Sequence, residues 1–489
     1  MNKFKIGNSI QEQIQEKYLN LERGVKSRED PVTWRTAGID LRFLLGSPDP
    51  EHVPPDLKTF VTGTRLVEIL TENTYLKPLK SEILWSVYGE HGEKLVLPDR
   101  NTIEPLDALL INGRHKTESL LWSLADHLSS LGQKVAVINP IGHYNDWQTR
   151  MVAPDLLVRP VKTAIFLSST QTQDGGDLSV LNLALRALRN PNFAFMIDRV
   201  VIVIPMFGGS RGHRLGQSQQ TGYEALETIG NAKLLIDTIK DIRTSIVSHD
   251  IYPIYDHTRF MRPMQTFPNI SFITVDIHNS VLPARKFGEA SFPFISASPA
   301  KEQVEKSIEA LQTKGYEHLL KRIVACDEGS SERTDNFVRE LLLKQGGTVE
   351  LISIQKERQR AGEVSNAKIR SVVSCSLKDG KLIKIENIID ESKITQDCVL
   401  IYVDDMIDTG GTAGLDISLL RKAFSGIKYI MFVTTHPIFS QGVDEAMNKI
   451  GADVYIAGDT LSSKRFIGKD NIVVSGLAPS IARALKNEE

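Results

Sequence analysis

From about Pro105 onward, short apolar runs of strand length alternate with longer stretches of helical periodicity, the trace that successive strand–helix–strand units of a parallel sheet leave in a chain. A first set of strands is expected at residues 108–111, 134–139, 163–167, 199–204 and 271–277, with a helix over 117–131. A second set follows at 322–325, 349–354, 399–403, 429–433 and 453–457. FITVDIH (272–278) and LIYVDDM (400–406) each run an apolar strand into polar residues at its carboxyl end, where open α/β sheets bind ligands. The recurrence predicts a degenerate internal duplication, two α/β domains with parallel sheets over residues 105–290 and 291–489.

Residues 1–104 break the pattern. Ile10, Ile14, Tyr18 and Leu21 fall at helical spacing and are followed by the proline-rich SPDPEHVPPDL, so a small N-terminal appendage is expected ahead of the α/β body. A chain of 489 residues exceeds one ordinary core, and 41% hydrophobic with 24% charged residues argues against long disordered tracts. The formal net charge of −2 gives no global field for nucleic acid or an anionic membrane, and neither is expected as a partner. Cys326, Cys375 and Cys398 are odd in number and widely spaced, which fits neither a disulfide framework nor a zinc site. The opening MNKFKIGNSIQEQIQEKY lacks an apolar core of signal-peptide length and the apolar runs are strand-sized, so a cytoplasmic location is expected.

The chemistry concentrates in VLIYVDDMIDTGGTAG, residues 399–414. Asp404 and Asp405 at a strand end can accept hydrogen bonds from a vicinal diol such as the ribose 2- and 3-hydroxyls. Thr409, Gly410, Gly411 and Thr412 then offer unobstructed backbone amides, hydroxyl donors and a helix N-terminus, a receptacle for a phosphate dianion. The plainer alternative is that these residues only cap the next helix. An acid pair directly behind an apolar strand counts against it.

The run from Asp404 to Thr412, D-D-M-I-D-T-G-G-T with Asp408 at its centre, resembles the phosphoribosyl diphosphate signature of phosphoribosyltransferases and PRPP synthetases (ribose-phosphate diphosphokinases), in its synthetase form. THPIFS (435–440), GDTL (458–461) and ACDEGS (325–330) resemble further synthetase segments, the last standing where the family has its diphosphate-side loop. The resemblance covers the chain from about Pro105 onward. It implies two tandem type I phosphoribosyltransferase-like domains and Mg²⁺-dependent transfer of the diphosphoryl group of ATP to C1 of ribose 5-phosphate, giving PRPP and AMP. It also implies a homo-oligomer.

Carried over by the resemblance, His278 and Asp327 are the Mg²⁺-associated pair, and Lys356 and Arg358, after a strand in ISIQKERQRAG, are the catalytic-loop cations. Left to itself, KERQR reads as a solvated charge run. On the ATP side the resemblance implies Arg211 and His213 in IPMFGGSRGHR, and Tyr144, Asp146 and Gln148 in YNDWQTR. These segments depart from the family: Gly212 and His213 replace Gln and Asp, Trp147 replaces a glycine and Gln148 an acid. The altered upstream segments and the added N-terminal region motivate an alternative with the same chemistry, a larger 5-phosphorylated acceptor such as ADP-ribose. A phosphoribosyltransferase and a non-catalytic regulatory subunit are the others. The second α/β domain opposes the first of these, and retention of Lys356, Arg358, His278 and Asp327 opposes the second.

Overall fold

A computed structural model describes residues 106–486 except 113–117, 139–140, 144–148, 152–160, 171–176, 190–193, 195–196, 208–220, 249–267, 279–280, 326–330, 361–362, 387–393, 462–465 and 467. The expected appendage therefore lies outside the described residues, as do Tyr144, Asp146, Gln148, Arg211, His213 and Asp327.

The first half runs β1 (Leu106–Asn112), α1 (Glu118–Ser130), β2 (Val135–Ile138), β3 (Ile141–His143), β4 (Thr149–Met151), β5 (Val161–Leu167), α2 (Asp177–Leu185), β6 (Ile197–Ile204), α3 (Thr221–Ser248), β7 (Asn269–Val275), α4 (Val281–Glu289) and β8 (Phe294–Ala297). The second half runs α5 (Ala300–Lys314), β9 (Leu320–Ala325), α6 (Ser331–Gln345), β10 (Thr348–Arg360), β11 (Glu363–Lys378), β12 (Lys381–Glu386), β13 (Cys398–Ile407), α7 (Gly411–Ala423), β14 (Ile427–Pro437), α8 (Val443–Ile450), β15 (Val454–Gly458), β16 (Ile472–Ser475) and α9 (Ala478–Lys486).

One sheet has the order β2-β1-β5-β6-β7-β8 and another the order β12-β11-β10-β9-β13-β14-β15-β16. Leaving out the β3–β4 ribbon and the β11 and β12 strands, both sheets keep six strands in the doubly wound order 2-1-3-4-5-6, which is how the duplication read from sequence appears in topology. Two compact units interleave along the chain. One holds residues 106–204, Asn231–Phe272 and Phe287–Pro293; the other holds Pro205–Gly230, Ile273–Lys286 and the residues from Phe294 onward. Asp276 and His278, although they precede position 290, thus fall in the second unit.

In that second unit both faces of the parallel strands are covered. On β13, Val399, Ile401 and Val403 pack with Val304 and Leu311 of α5 and Phe337, Val338, Leu341 and Leu342 of α6. Leu400 and Tyr402 pack with Ile417 and Leu420 of α7 and Met447 and Ile450 of α8. This two-sided burial is why the strand reads as an unbroken apolar run. Each such side chain is worth about 1.5–3 kcal/mol on full burial, enough to anchor the strand while Asp404 and Asp405 near its end present carboxylates.

The hairpins β10–β11 and β11–β12 are antiparallel, and a tight turn with Asp379 at φ 53° and Gly380 at φ 73° joins the second pair. Two residues of left-handed conformation between twisted strands are the usual two-residue hairpin connection. This corrects the sequence reading of Lys356 and Arg358 as residues that follow a strand. Both lie within β10, their backbones paired with Ala367 and Val364, because β11 supplies an antiparallel partner along the whole charged run.

Candidate active site

β13 lies between β9 and β14, parallel to both, and Val403 pairs with Ala325 at the carboxyl end of β9. In the 2-1-3-4-5-6 order this is the point where the winding reverses, and the crevice beyond the carboxyl ends of such strands is the expected ligand position. Asp404 and Asp405 lie in the last part of β13, Asp405 two residues before its end at Ile407.

Side chains alternate across a strand, so the adjacent acids have different neighbours. Asp404 is half-buried, and its Oδ1 accepts the Asp405 amide at 2.9 Å. Asp405 is buried; its Oδ2 lies 2.7 Å from His278 Nδ1 and 3.9 Å from Arg333 Nη2. Burial works against ionisation, but the Arg333 guanidinium and the His278 ring together hold the Asp405 carboxyl well below the usual carboxylate range. An ionised acceptor requires His278 to carry its proton on Nδ1.

Behind this pair is a polar network that sequence reasoning did not find. Arg333, in the first turn of α6, donates through Nε to both oxygens of Asp276, at 2.7 and 2.8 Å. The same carboxylate accepts from the Thr435 hydroxyl at 2.5 Å, and Gln303 Nε2 donates to that hydroxyl at 3.0 Å. His436 Nε2 donates to the Asp276 carbonyl at 3.3 Å, and burial keeps the His436 ring below its ordinary value and therefore neutral near pH 7. Asp276 itself has a left-handed backbone, φ 45°, and its amide donates to Ala297 at 3.0 Å. The available signals were weak: Asp276 stands two positions before His278, and Arg333 opens the helix that follows Asp327.

The glycine loop is shaped for another reason. Gly410 caps α7 in a left-handed conformation, φ 76°, and a Cβ there would sit 2.6 Å from the Ala446 carbonyl oxygen. At Gly414 a Cβ would come within 2.3 Å of the Lys449 carbonyl, so α7 packs against α8 through its glycines. Gly411 differs: it is exposed, and an added Cβ would meet nothing closer than Thr409 Oγ1 at 4.0 Å. Packing does not call for glycine at that position; the missing side chain leaves the first amides of the thirteen-residue α7 open to close approach. Thr409 and Thr412 are half-buried beside it. Asp408 accepts from both the amide (3.1 Å) and the hydroxyl of Ser440.

His278 fits a cation-holding role in one respect. Metal-binding histidines ordinarily donate their second ring nitrogen to a carboxylate, as His278 does to Asp405. Among the described residues no group of three or more His, Cys, Asp and Glu side chains converges on a metal position. Mg²⁺ does not require one, since it takes one or two protein ligands and completes its shell with phosphate oxygens and water. Lys356 and Arg358 are located here by their backbones alone.

Two parallel sheets of order 2-1-3-4-5-6, one with an acid pair near the end of a central strand and a glycine loop before the next helix, define a tandem phosphoribosyltransferase-like α/β protein. Its fold matches that of a phosphoribosylpyrophosphate synthetase from Mycobacterium smegmatis with a TM-score of 0.50 at 18% identity, over 78% of this chain and 100% of that one. In sequence the chain is similar to the ribose-phosphate pyrophosphokinases: 40% identical to that of Corynebacterium glutamicum over 90 residues, 18% of this chain and 26% of that protein. It is 24% identical to that of Ureaplasma parvum over 327 residues, 63% of this chain and 85% of that protein. The chain spans about a quarter of the length of the first curated relatives it matches. No family model matches it. Among the described residues no helix is long and apolar enough to cross a membrane.

Proposed function

We propose that this protein is a ribose-phosphate diphosphokinase that moves the diphosphoryl group of ATP to the C1 hydroxyl of ribose 5-phosphate, giving PRPP and AMP. The observation that carries the reading is the stretch from Asp404, near the end of β13, to Thr412 at the start of α7, which lies where the sheet order reverses and whose Asp405 is bonded to His278. The amides at the start of α7, with Thr409 and Thr412, hold the 5-phosphate; Gly411 leaves them room. Asp404 accepts from the ribose diol while Asp405 holds His278. The C1 oxygen attacks the β-phosphorus, the bond from that phosphorus to the α–β bridging oxygen breaks, AMP departs with that oxygen, and the C1 hydroxyl proton goes to solvent. Lys356 and Arg358 balance charge growing on the bridging oxygen. His278 and Asp327 would hold Mg²⁺, which, when bound, neutralises the phosphates. Arg211, His213, Tyr144, Asp146 and Gln148 bind the nucleotide, and the protein works as a homo-oligomer.

The test is AMP and PRPP formation by the full-length protein with ATP, Mg²⁺ and inorganic phosphate, run in parallel with ribose 5-phosphate and with ADP-ribose. The departures at Trp147, Gln148, Gly212 and His213 make the second acceptor worth the comparison. AMP formation dependent on ribose 5-phosphate is expected. Activity with ADP-ribose alone would transfer the same chemistry to a larger acceptor, and no AMP with either would overturn the reading.

A further inference from the structure

We propose that Arg333 is a positioning residue for His278: by cross-linking the carboxylates of Asp276 and Asp405 it fixes the segment that carries the histidine and the group that orients its ring. The inference rests on the functional reading only in giving His278 a task at the site. Arg333 is a tenth exposed or less, as are both acids, and a guanidinium removed from water in this way is stabilised only by well-formed bonds to counter-charges. Its Nε bonds to Asp276 at 2.7 and 2.8 Å fix the carboxylate two positions before His278. Its Nη2, 3.9 Å from Asp405 Oδ2, faces the same oxygen that receives His278 Nδ1. Two buried acids and one histidine therefore share a single guanidinium, which opposes the upward push that burial exerts on the Asp276 carboxyl.

The placement of Arg333 gives the device its reach. It sits in the first turn of α6, immediately after the segment that carries Asp327. A strained, left-handed Asp276 persists because Arg333, Thr435, His436 and Ala297 all hold it. Without the guanidinium, the Asp276 and Asp405 carboxyls would lose the counter-charge they share, and the His278 ring would lose the fixed acceptor that sets its orientation.

Arg333→Lys keeps the charge but not the planar fork, and is the informative variant. In full-length protein free of metal and nucleotide, labelled with ¹⁵N at histidine, the native chain should show a slowly exchanging Nδ1–H resonance of His278, assigned by its loss in His278→Asn. In Arg333→Lys that resonance should broaden or vanish while the melting temperature falls by only a few degrees. Affinity for ribose 5-phosphate should stay within about twofold, because the glycine loop is untouched, and kcat should fall tenfold or more. Retention of the resonance, or a parallel fall of kcat and ribose 5-phosphate affinity, would overturn the assignment. Should Arg333→Lys not fold, Asp276→Asn, which removes the partner of Arg333, is expected to lose the same resonance, and its retention there would equally refute the proposal. The resonance is read without substrates, so an inactive native enzyme would defeat the functional reading and leave the positioning role standing.

Discussion

The Asp408 carboxylate accepts two hydrogen bonds from Ser440, one from its amide and one from its hydroxyl, and so ties the start of the glycine loop to the chain leaving β14. The amides of Ile438 and Phe439 add bonds to the Ile407 carbonyl at 2.8 and 3.2 Å. Phe439, left-handed at φ 48°, is buried edge-on against Phe466. The two loops at the carboxyl ends of β13 and β14 are thus braced against each other before any substrate arrives.

Removing that brace should loosen the sugar site more than the fold. A hydrogen bond to a charged group contributes about 1.5–3 kcal/mol, with the low end apt for this exposed pair. Ser440→Ala, which removes one of the two bonds, should raise the KM for ribose 5-phosphate by roughly tenfold or less, with the melting temperature little changed. Initial-rate kinetics beside a thermal melt would check this.

The two glycines of the loop should respond differently. Gly410→Ala forces a Cβ against the Ala446 carbonyl and a left-handed alanine, a conformation costing about 1–2 kcal/mol before the clash is counted, so its melting temperature should drop. Gly411→Ala meets no such obstacle and should fold with native stability. It should nevertheless weaken the protection that ribose 5-phosphate gives against thermal unfolding. Equal melting behaviour of the two variants, with and without ligand, would contradict the phosphate assignment.

Lys356→Ala should lower kcat by about a hundredfold or more if the ammonium stabilises the departing AMP, since losing one such donor commonly costs that much. A loss of only a few-fold in steady-state assays would return KERQR to the status of a solvated charge run.

Asp459 supplies a pH test independent of catalysis. Burial pushes its carboxyl up to about 6, although the Leu477 amide donates to it at 2.9 Å. A carboxyl raised in the fold lets the native state keep a proton that the unfolded chain has released. The resulting loss of stability develops as pH rises from about 4 to about 6 and is complete above that, roughly 3 kcal/mol for a shift of this size. Asp459→Asn should therefore be more stable than the native protein at pH 8, with the difference shrinking toward pH 4 in denaturant titrations.

What the sequence made legible follows from where burial is two-sided. Strands such as β13 and β14, covered on both faces, carry unbroken apolar runs and announce themselves, as does the acid pair that interrupts one of them. The β10–β11–β12 hairpins did not, because Lys356, Glu357, Arg358 and Arg360 hide strand pairing behind charge. The Asp379–Gly380 pair between alternating residues was the signal that could have shown the second hairpin. The Arg333 network was invisible for a different reason. Its bonds join positions 57 residues apart to Asp276, and Asp276 in turn to Thr435, 159 residues away, and no local pattern encodes such a meeting.

The interleaving of the two units bears on how the halves of this chain could ever be separated. A cut at position 290 would release a fragment that kept the glycine loop, Asp405 and Arg333 but left Asp276 and His278 behind. The duplicated halves are thus no longer interchangeable modules, for the second borrows its histidine from a stretch translated before its own first strand.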